Sequence, residues 1–500
     1  MGWWIASGLI SALVTWLAWG MFNPIPTVSD EQSYVLQSRI FATGHWTAPS
    51  PPIPQFFEQS HVLTAPAVAS KFPPGHALLL SIGTLLGSPV IASLALTALT
   101  GALLLLLVAR VTNVWVAALT FAIWLSDPIN LRFRPGYFSE VTTQALWLLS
   151  WWSLLEWTEK RNRRWLLTLA AAIGWGAITR PLTMLAFAVP VGIVVIRDVV
   201  RLRLWRDLGS AVLLGVTILA VIPLWSAETT GSWRQTPLTL YRRDYLPFDK
   251  PGFGFDTTPP LLPLNPVNRS TYVEFSREHI GHTPRSLPSI AWDRLRVIAI
   301  SEWRSRLVFV PFAVLGLFCL TVEMTFALIC ALALFVAYLS YGHFSEWTLY
   351  YFEGIPILSM VTAVGLWRSI ERTAGRFRVA LWEPRAALLV LVPLAAVTAH
   401  EVSIARANHL DAARWNTEFD GMIAALPKHP TVIFVHFTPG VQPHPNVVRN
   451  SPNLADEPIW IVNDLGDRDR ELMRYAGPRV PLHFFEDGRR FELARDLLKR

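Results

Sequence analysis

The chain has 500 residues, of which 52% are hydrophobic and only 16% charged, and its formal net charge is +7. Soluble domains carry about 25% charged residues, so this composition excludes an ordinary soluble enzyme and indicates a polytopic membrane protein. The basic residues cluster in short segments between apolar runs, as in cytoplasmic loops, and therefore predict no nucleic-acid partner. Both cysteines, Cys319 and Cys330, lie in apolar runs, so no disulfide framework is expected.

The N-terminal part of the sequence begins with an apolar run, 3–22, that is long enough to cross a bilayer. An amphipathic helix is predicted next, from an N-cap at Ser29 to about Ala42, and a short apolar helix ends near Leu86. If this short helix lies in the outer interface, every basic loop falls on one side of the membrane. The charge bias then predicts about eleven transmembrane helices with a cytoplasmic N-terminus. The lipid bilayer is therefore a predicted partner of the protein.

Four outer segments are predicted between or before the spans, at 23–88, 127–140, 228–305 and 342–353. The segment 228–305 is rich in proline, glycine and aromatic residues and shows no clear periodicity, which is typical of a lid or binding surface. Strands are predicted at 431–437, 458–462 and 480–485, with a helix at 467–475. The predicted fold is a mainly α polytopic membrane domain over 1–400, followed by a small extracytoplasmic α/β domain over 401–500.

Two adjacent carboxylates, Asp30 and Glu31, follow the first span. Acidic residues favour the first turn of a helix, so both side chains could serve only as helix caps. The alternative is a general base, because a carboxylate can remove the proton of an attacking hydroxyl. The sequence alone leaves both interpretations open.

A family resemblance rests on these acids and on a second motif in the same loop. The pattern Asp30-Glu31-x-x-Tyr34 after a first span, followed by Lys71-Phe72-Pro73-Pro74, resembles the GT-C superfamily of polyprenyl-phosphate-sugar-dependent glycosyltransferases. Protein O-mannosyltransferases and the lipid A aminoarabinose transferase belong to that superfamily. The resemblance covers the membrane part to about residue 370, and Phe72 is inserted relative to the Lys-Pro-Pro stretch of the aminoarabinose transferase.

The resemblance implies a GT-C-like fold over 1–400 and a membrane glycosyltransferase of the hexosyl or pentosyl type. Such an enzyme moves a sugar, with inversion, from a polyprenyl-phosphate donor to an extracytoplasmic hydroxyl of a glycan, lipid or protein acceptor. The implied location is the bacterial inner membrane, with the active site facing the periplasm. No cofactor is assigned, and a divalent metal is left open because no ligand set is identified.

The resemblance and the residue types together give three groups of candidate site residues. The first group supplies the base, with Asp30 first and with Glu31 and Glu140 in support. Cations that could hold the lipid phosphate are Lys71, Arg180 and Arg134. The sugar or acceptor pocket is assigned to Tyr34, Tyr137, His343, Tyr351 and Glu353.

Each group also has a plain structural alternative. Glu140 could cap a helix with Ser139, Lys71 could extend to lipid headgroups, and the segment 343–353 could form an interfacial aromatic belt. For the whole protein, a transporter or flippase of lipid-linked sugars and a non-catalytic envelope scaffold are the rival functions. A transporter predicts ionisable residues near mid-membrane, whereas the candidates here lie at the ends of predicted spans.

Overall fold

The computed structural model describes residues 2–377, 382–438, 440, 443–444 and 447–498. Helices dominate it, which confirms the predicted mainly α membrane fold. In chain order they are α1 Trp3–Trp19, α2 Ser29–Ala42, α3 Gly75–Leu85, α4 Val90–Val111, α5 Val114–Leu125, α6 Pro128–Phe133, α7 Ser139–Lys160, α8 Arg163–Ala177, α9 Pro181–Leu202, α10 Trp205–Leu219, α11 Val221–Thr230, α12 Pro237–Tyr245, α13 Pro266–Ile280, α14 Leu287–Trp303, α15 Val310–Leu317, α16 Val322–Tyr338, α17 Ile355–Phe377, α18 Trp382–Ala424 and α19 Asp469–Met473.

The strands form two small sheets. The first sheet is antiparallel, with the order β1-β3-β2, and consists of β1 Ala48–Pro49, β2 Val62–Leu63 and β3 Ala67–Ser70. The second has the order β5-β4-β6-β7 and consists of β4 Thr431–His436, β5 Ile459–Asn463, β6 Val480–Phe485 and β7 Arg490–Leu493. Strand β4 pairs in parallel with β5 and β6, and β7 is antiparallel to β6. The three predicted C-terminal strands are therefore confirmed, and β7 is an addition.

The chain divides into two compact units, each assembled from three segments. The helical unit comprises Met1–Pro24, Val90–Ala220 and Pro284–Leu410, and the mixed unit comprises Ile25–Pro89, Val221–Thr283 and Asp411–Arg500. The sequence-based boundary between 400 and 401 stays a prediction.

The helical unit supplies most of the membrane-crossing candidates. In the described part of the chain, five helices are long and apolar enough to cross a membrane, or six if the bent pair Leu307–Leu317 and Val322–Tyr338 counts as one span. Trp3–Trp19, Gly75–Leu85 and Val114–Leu125 are apolar but shorter. The protein is thus an integral membrane protein, and the count of about eleven spans stays a prediction.

Close packing of α15 against α17 depends on two glycines. A Cβ built on Gly365 would meet the backbone of Phe312 and Gly316, and one built on Gly316 would meet the carbonyl of Val361. Gly365→Ala is therefore expected to destabilise the helical unit by about 1–3 kcal/mol, because a backbone atom cannot move aside as a side chain can. Thermal unfolding in detergent measures the change.

Gly192 provides the matched control for Gly365. It lies inside α9, and a Cβ built there meets nothing within 4 Å. Gly192→Ala is expected to leave stability unchanged or to raise it by roughly 0.5–1 kcal/mol, since alanine favours helix. Equal stability of the Gly365→Ala variant and the wild type would contradict the packing argument.

The mixed unit contains nearly all of the predicted outer segment 23–88 and most of the predicted outer segment 228–305. The segment 228–305, which shows no clear periodicity in the sequence, contains α12, α13 and α14. Two of its proline residues begin helices: Pro237 and Pro266 are the first residues of α12 and α13. Proline suits that position because the amide it lacks has no partner in the first turn. The hydrophobic cluster of this segment includes Leu63, Tyr241 and Phe248.

Candidate active site

The two carboxylates at the N-terminus of α2, Asp30 and Glu31, lie in different environments. The buried Glu31 side chain accepts hydrogen bonds from the amides of Thr27 (2.8 Å) and Val28 (3.3 Å) and from the Thr27 hydroxyl (3.0 Å). Val28 is the N-cap, and Ser29, the predicted cap, is instead the first helical residue. Glu31 thus satisfies amides that the first helical turn leaves unpaired.

Asp30 projects from the same turn into a different environment. Its side chain is 43% exposed, and its Oδ1 lies 3.7 Å from Nε2 of the buried His61. Burial and the nearby Lys71 cation hold the pKa of His61 well below its usual range, so the imidazole is neutral. The Asp30 carboxylate is therefore accessible and faces a neutral ring, as a base that must accept a proton requires.

Lys71 lies in the same cluster, directly after β3. Its Nζ is 4.0 Å from Oδ2 of Asp249 and lies over the rings of Phe72 (5.1 Å) and Tyr241 (4.8 Å). Burial lowers the pKa of Lys71, and the carboxylates of Asp249 and Asp30 oppose that shift. The Lys71 side chain is buried between two aromatic rings, whereas a lysine that extends to lipid headgroups has an exposed ammonium group.

Helix α12 and the start of α13 support this cluster from behind. The Tyr241 hydroxyl accepts a hydrogen bond from the His61 amide (3.1 Å) and donates one to Asn268 (3.4 Å). The Tyr245 hydroxyl donates to the Glu58 carboxyl at 3.1 Å. Sequence reasoning missed His61, Asp249 and both tyrosines, and the only available signal was the density of aromatic residues between 241 and 255.

The raised pKa of Glu58 predicts that the stability of the mixed unit depends on pH. Burial raises its pKa to about 7 from the usual 4.5, so between those values the folded state binds more protons than the unfolded state. Stability of the mixed unit is therefore expected to fall as the pH rises from about 4.5 to about 7. Hydrogen exchange of amides in α12, followed across this pH range, measures the effect.

Glu58→Gln tests the assignment of that pH dependence, because glutamine is nearly isosteric with glutamate and does not titrate. The variant is expected to show a flatter stability profile between about pH 4.5 and pH 7 than the wild type. A decline that persists unchanged in Glu58→Gln would assign it to another group.

A second polar constellation lies in the helical unit, where α7 begins. Arg180, the last residue before α9, forms an ion pair with the buried Glu140 and donates hydrogen bonds to the hydroxyls of Tyr338 (3.0 Å) and Thr183 (3.2 Å). The Ser139 hydroxyl donates to Glu140 at 3.1 Å. Two of the predicted residues, Glu140 and Arg180, are therefore partners of each other.

The segment around 343–353 adds to this constellation. Glu353 accepts a hydrogen bond from Thr143, and Nε2 of His343 lies 3.1 Å from the Tyr351 hydroxyl. The buried guanidinium of Arg294 donates to the carbonyls of Tyr338 (2.7 Å), Tyr341 (2.9 Å) and His343 (3.2 Å). Arg294, which sequence reasoning missed, holds the segment in shape.

The remaining candidates are packed among other side chains. Tyr34, in the mixed unit, stacks on Phe72 with ring centroids 4.8 Å apart. The Tyr137 hydroxyl, in the helical unit, donates to the carbonyl of Pro24 at 2.7 Å. The fully buried Arg134 guanidinium lies over the ring of Trp124 at 4.5 Å, and burial lowers its pKa to about 9.

The candidates thus divide between the two units. Asp30, Glu31, Tyr34 and Lys71 belong to the mixed unit, and the helical unit contains Arg134, Tyr137, Glu140, Arg180, His343, Tyr351 and Glu353. Among the described residues, no group of three or more His, Cys, Asp or Glu side chains is arranged to hold a metal ion.

Comparison with known proteins gives two kinds of similarity. Residues 71–226 match the family model described as dolichyl-phosphate-mannose-protein mannosyltransferase. The fold matches a structure of ArnT from Cupriavidus metallidurans bound to undecaprenyl phosphate, at a TM-score of 0.54 and 18% identity, over 98% of this chain and 94% of that one. The apo structure of the same enzyme gives a TM-score of 0.53 and 17% identity, over 97% of this chain and 93% of that one. A search of curated proteins found no match.

These similarities agree with what the first outer segment suggested. The fold agrees with a GT-C enzyme over nearly the whole length of both chains, and the family match begins at Lys71 itself. The chain therefore resembles membrane glycosyltransferases of the GT-C type, in sequence over residues 71–226 and in fold over nearly its whole length.

Proposed function

We propose that this protein transfers a sugar from a polyprenyl-phosphate donor to a hydroxyl of an extracytoplasmic acceptor, with Asp30 as the general base. The donor class follows the superfamily, and it fits the undecaprenyl phosphate bound to the similar enzyme from Cupriavidus metallidurans. The proposed location is the bacterial inner membrane, with the active site facing the periplasm.

The observation that carries the proposal is the contrast between two neighbouring carboxylates. Glu31 is buried and occupied by three donors, whereas the Asp30 side chain is 43% exposed and is next to a neutral histidine. A base must reach a substrate hydroxyl and must be free to take its proton. The Asp30 side chain is accessible enough to meet a substrate, whereas Glu31 caps the helix on which Asp30 lies.

The proposed reaction is a single displacement with inversion. As the acceptor oxygen forms a bond to the anomeric carbon, its proton moves to the Asp30 carboxylate. The bond from the anomeric carbon to the phosphate oxygen breaks on the opposite face, and its electron pair stays on the phosphate. The products are a glycosylated acceptor and a polyprenyl phosphate, so the leaving group requires cationic stabilisation more than a proton donor.

Lys71 is the proposed cation for this phosphate. It is the buried cation of the cluster that contains Asp30, and its only ion pair among the described residues is the long one of 4.0 Å to Asp249. A phosphate oxygen would compensate a desolvated ammonium group more closely than that carboxylate does. Within the helical unit, Glu140 and Arg180 are proposed to act as a pair, and Tyr137, His343, Tyr351 and Glu353 are proposed to contact the sugar. Within the mixed unit, Tyr34 is proposed to contact the substrate.

The test incubates purified protein with a panel of polyprenyl-phosphate hexoses and pentoses, together with a hydroxyl-bearing acceptor, and measures the release of polyprenyl phosphate. Release with at least one donor is expected. A flippase would instead move intact lipid-linked sugar between the leaflets of a liposome without releasing phosphate, and a scaffold would do neither. Either of those results would refute the transferase proposal.

A further inference from the structure

Helix α2 separates the Asp30 cluster from a cavity of about 360 Å³ in the mixed unit. Four residues of α2 with helical spacing line it: Gln32, Val35, Leu36 and Arg39. Asp30, Ser33 and Gln37 lie on the opposite face. There, Ser33 donates to the His61 carbonyl (2.8 Å) and Gln37 accepts from the Ser70 amide (2.9 Å). One helix therefore presents the proposed base on one face and a cavity wall on the other.

The facing wall of the cavity is held by its own hydrogen bonds. The Asn450 amide group donates to the Ile461 carbonyl (2.7 Å) and accepts from the Ile461 amide (2.9 Å). Arg449 donates to Asn416 at 2.9 Å and forms an ion pair with Asp420. Because these groups satisfy each other, the wall is preformed, as in most small-molecule sites.

The charges that line the cavity do not all cancel locally. Asp420 is paired with Arg449, and the Arg479 guanidinium donates to the backbone carbonyl of Glu457 at 2.8 Å. Arg39 is exposed and makes no hydrogen bond or ion pair with any residue that the structure describes. An unpaired guanidinium beside the amides of Gln32 and Gln59 suits a ligand with an anionic group and several hydroxyls.

We infer that this cavity binds an acidic saccharide, one that carries a phosphate or carboxylate on its hydroxyl-bearing ring, as the distal part of an extended acceptor. The assignment of this saccharide as part of an acceptor rests on the proposed function. The binding of the saccharide itself does not depend on catalysis. The ring hydroxyls face the amides, and the aliphatic side chains of Val35, Leu36 and Ile461 cover the apolar face of the sugar.

The size of α2 determines how long the acceptor must be. A helix with its side chains is about 10–12 Å across, so one monosaccharide cannot fill the cavity and also reach Asp30. Ile25 and Pro26, which precede α2, also line the cavity, and Asp30 lies in the first turn of that helix. The acceptor would therefore be anchored by an acidic sugar and glycosylated at a hydroxyl further along the molecule.

The test uses saturation-transfer NMR on the full chain in detergent, with glucose 6-phosphate, glucose and glycerol 3-phosphate as probes. Glucose 6-phosphate is expected to bind at least about tenfold more tightly than either of the others, because it alone offers both the anion and the ring. If glucose bound as tightly as glucose 6-phosphate, the proposed role of Arg39 in binding the anionic group would be overturned. Equal binding of glycerol 3-phosphate would assign the site to a lipid headgroup and would overturn the saccharide assignment.

Variants of Arg39 connect the binding to the cavity. Arg39→Gln is expected to weaken glucose 6-phosphate binding about tenfold or more, with partial retention in Arg39→Lys. Arg470→Gln, at an exposed arginine of the mixed unit that does not line the cavity, is the matched control and is expected to bind as the wild type does. Unchanged binding in Arg39→Gln would overturn the inference.

The two proposals fail in different assays. Binding of glucose 6-phosphate that depends on Arg39, without donor cleavage by any variant, would retain the cavity site and refute the transferase. Donor cleavage that depends on Asp30, without binding of the acidic sugar, would retain the transferase and refute the cavity site.

Discussion

Asp30→Asn is expected to lower the release of polyprenyl phosphate by about 10²- to 10⁴-fold, because it removes the group that takes the proton of the acceptor. Asparagine keeps the size of the side chain and its ability to accept hydrogen bonds. The Asp30 side chain is also 43% exposed, so the substitution should change folding little. The measurement is the initial rate of release with a cleaved donor and a saturating acceptor, together with a thermal unfolding curve of each variant.

The neighbouring Glu31→Gln variant is the matched control for this prediction. Glutamine keeps an oxygen that can accept the bonds from Thr27 and Val28, so α2 is expected to form and the rate to stay within a few-fold of the wild type. If the two variants exchanged these phenotypes, Glu31 would be the base. If both kept the wild-type rate, neither carboxylate would be the base.

Arg306→Met is expected to destabilise the helical unit by about 3–5 kcal/mol, because it leaves buried carboxylates without their cation. The Arg306 guanidinium donates to Asp127 (2.7 Å) and lies 3.3 Å from Glu302, and all three side chains are buried. It also donates to the Ile123 carbonyl at 2.8 Å and the Ser126 hydroxyl at 3.2 Å. Thermal and denaturant unfolding in detergent measure the loss.

Arg304, two residues before Arg306, provides the control for that substitution. Its side chain is exposed, so Arg304→Met is expected to change stability by less than about 0.5 kcal/mol. A triple variant, Arg306→Met with Asp127→Asn and Glu302→Gln, is expected to recover part of the loss, since it removes the uncompensated charges. An Arg306→Met protein as stable as the wild type would show that the buried triad adds nothing.

The sequence was sufficient for the features that depend on local pattern. The helix that ends at Ala42, the short helix that ends at Leu85 and the three C-terminal strands follow from periodicity, and the structure confirms them, although Val28 and not Ser29 is the N-cap of α2. The GT-C resemblance also came from a short local motif. What the pattern could not decide was which of Asp30 and Glu31 caps the helix, because both residues suit a first turn.

The features that sequence reasoning missed depend on partners distant in the chain. Arg306 and Asp127 are 179 residues apart, and nothing near either residue identifies the other. Likewise, Lys71 was assigned without Asp249 or Tyr241, which come from a segment without clear periodicity in the sequence. Helices α13 and α14 in that segment were missed because their amphipathic periodicity is weak, and α12 was missed because it is only nine residues long.

The three-segment construction of the mixed unit has a consequence for its biosynthesis. Strand β2 and helix α12 share one hydrophobic cluster, and the second sheet is supplied only by residues after 430. Contacts so distant in sequence slow folding, because the intervening chain must be ordered before any of them forms. The segment that carries Asp30 is therefore synthesised long before its unit can fold. Its apolar surface stays exposed until almost the whole chain has been synthesised.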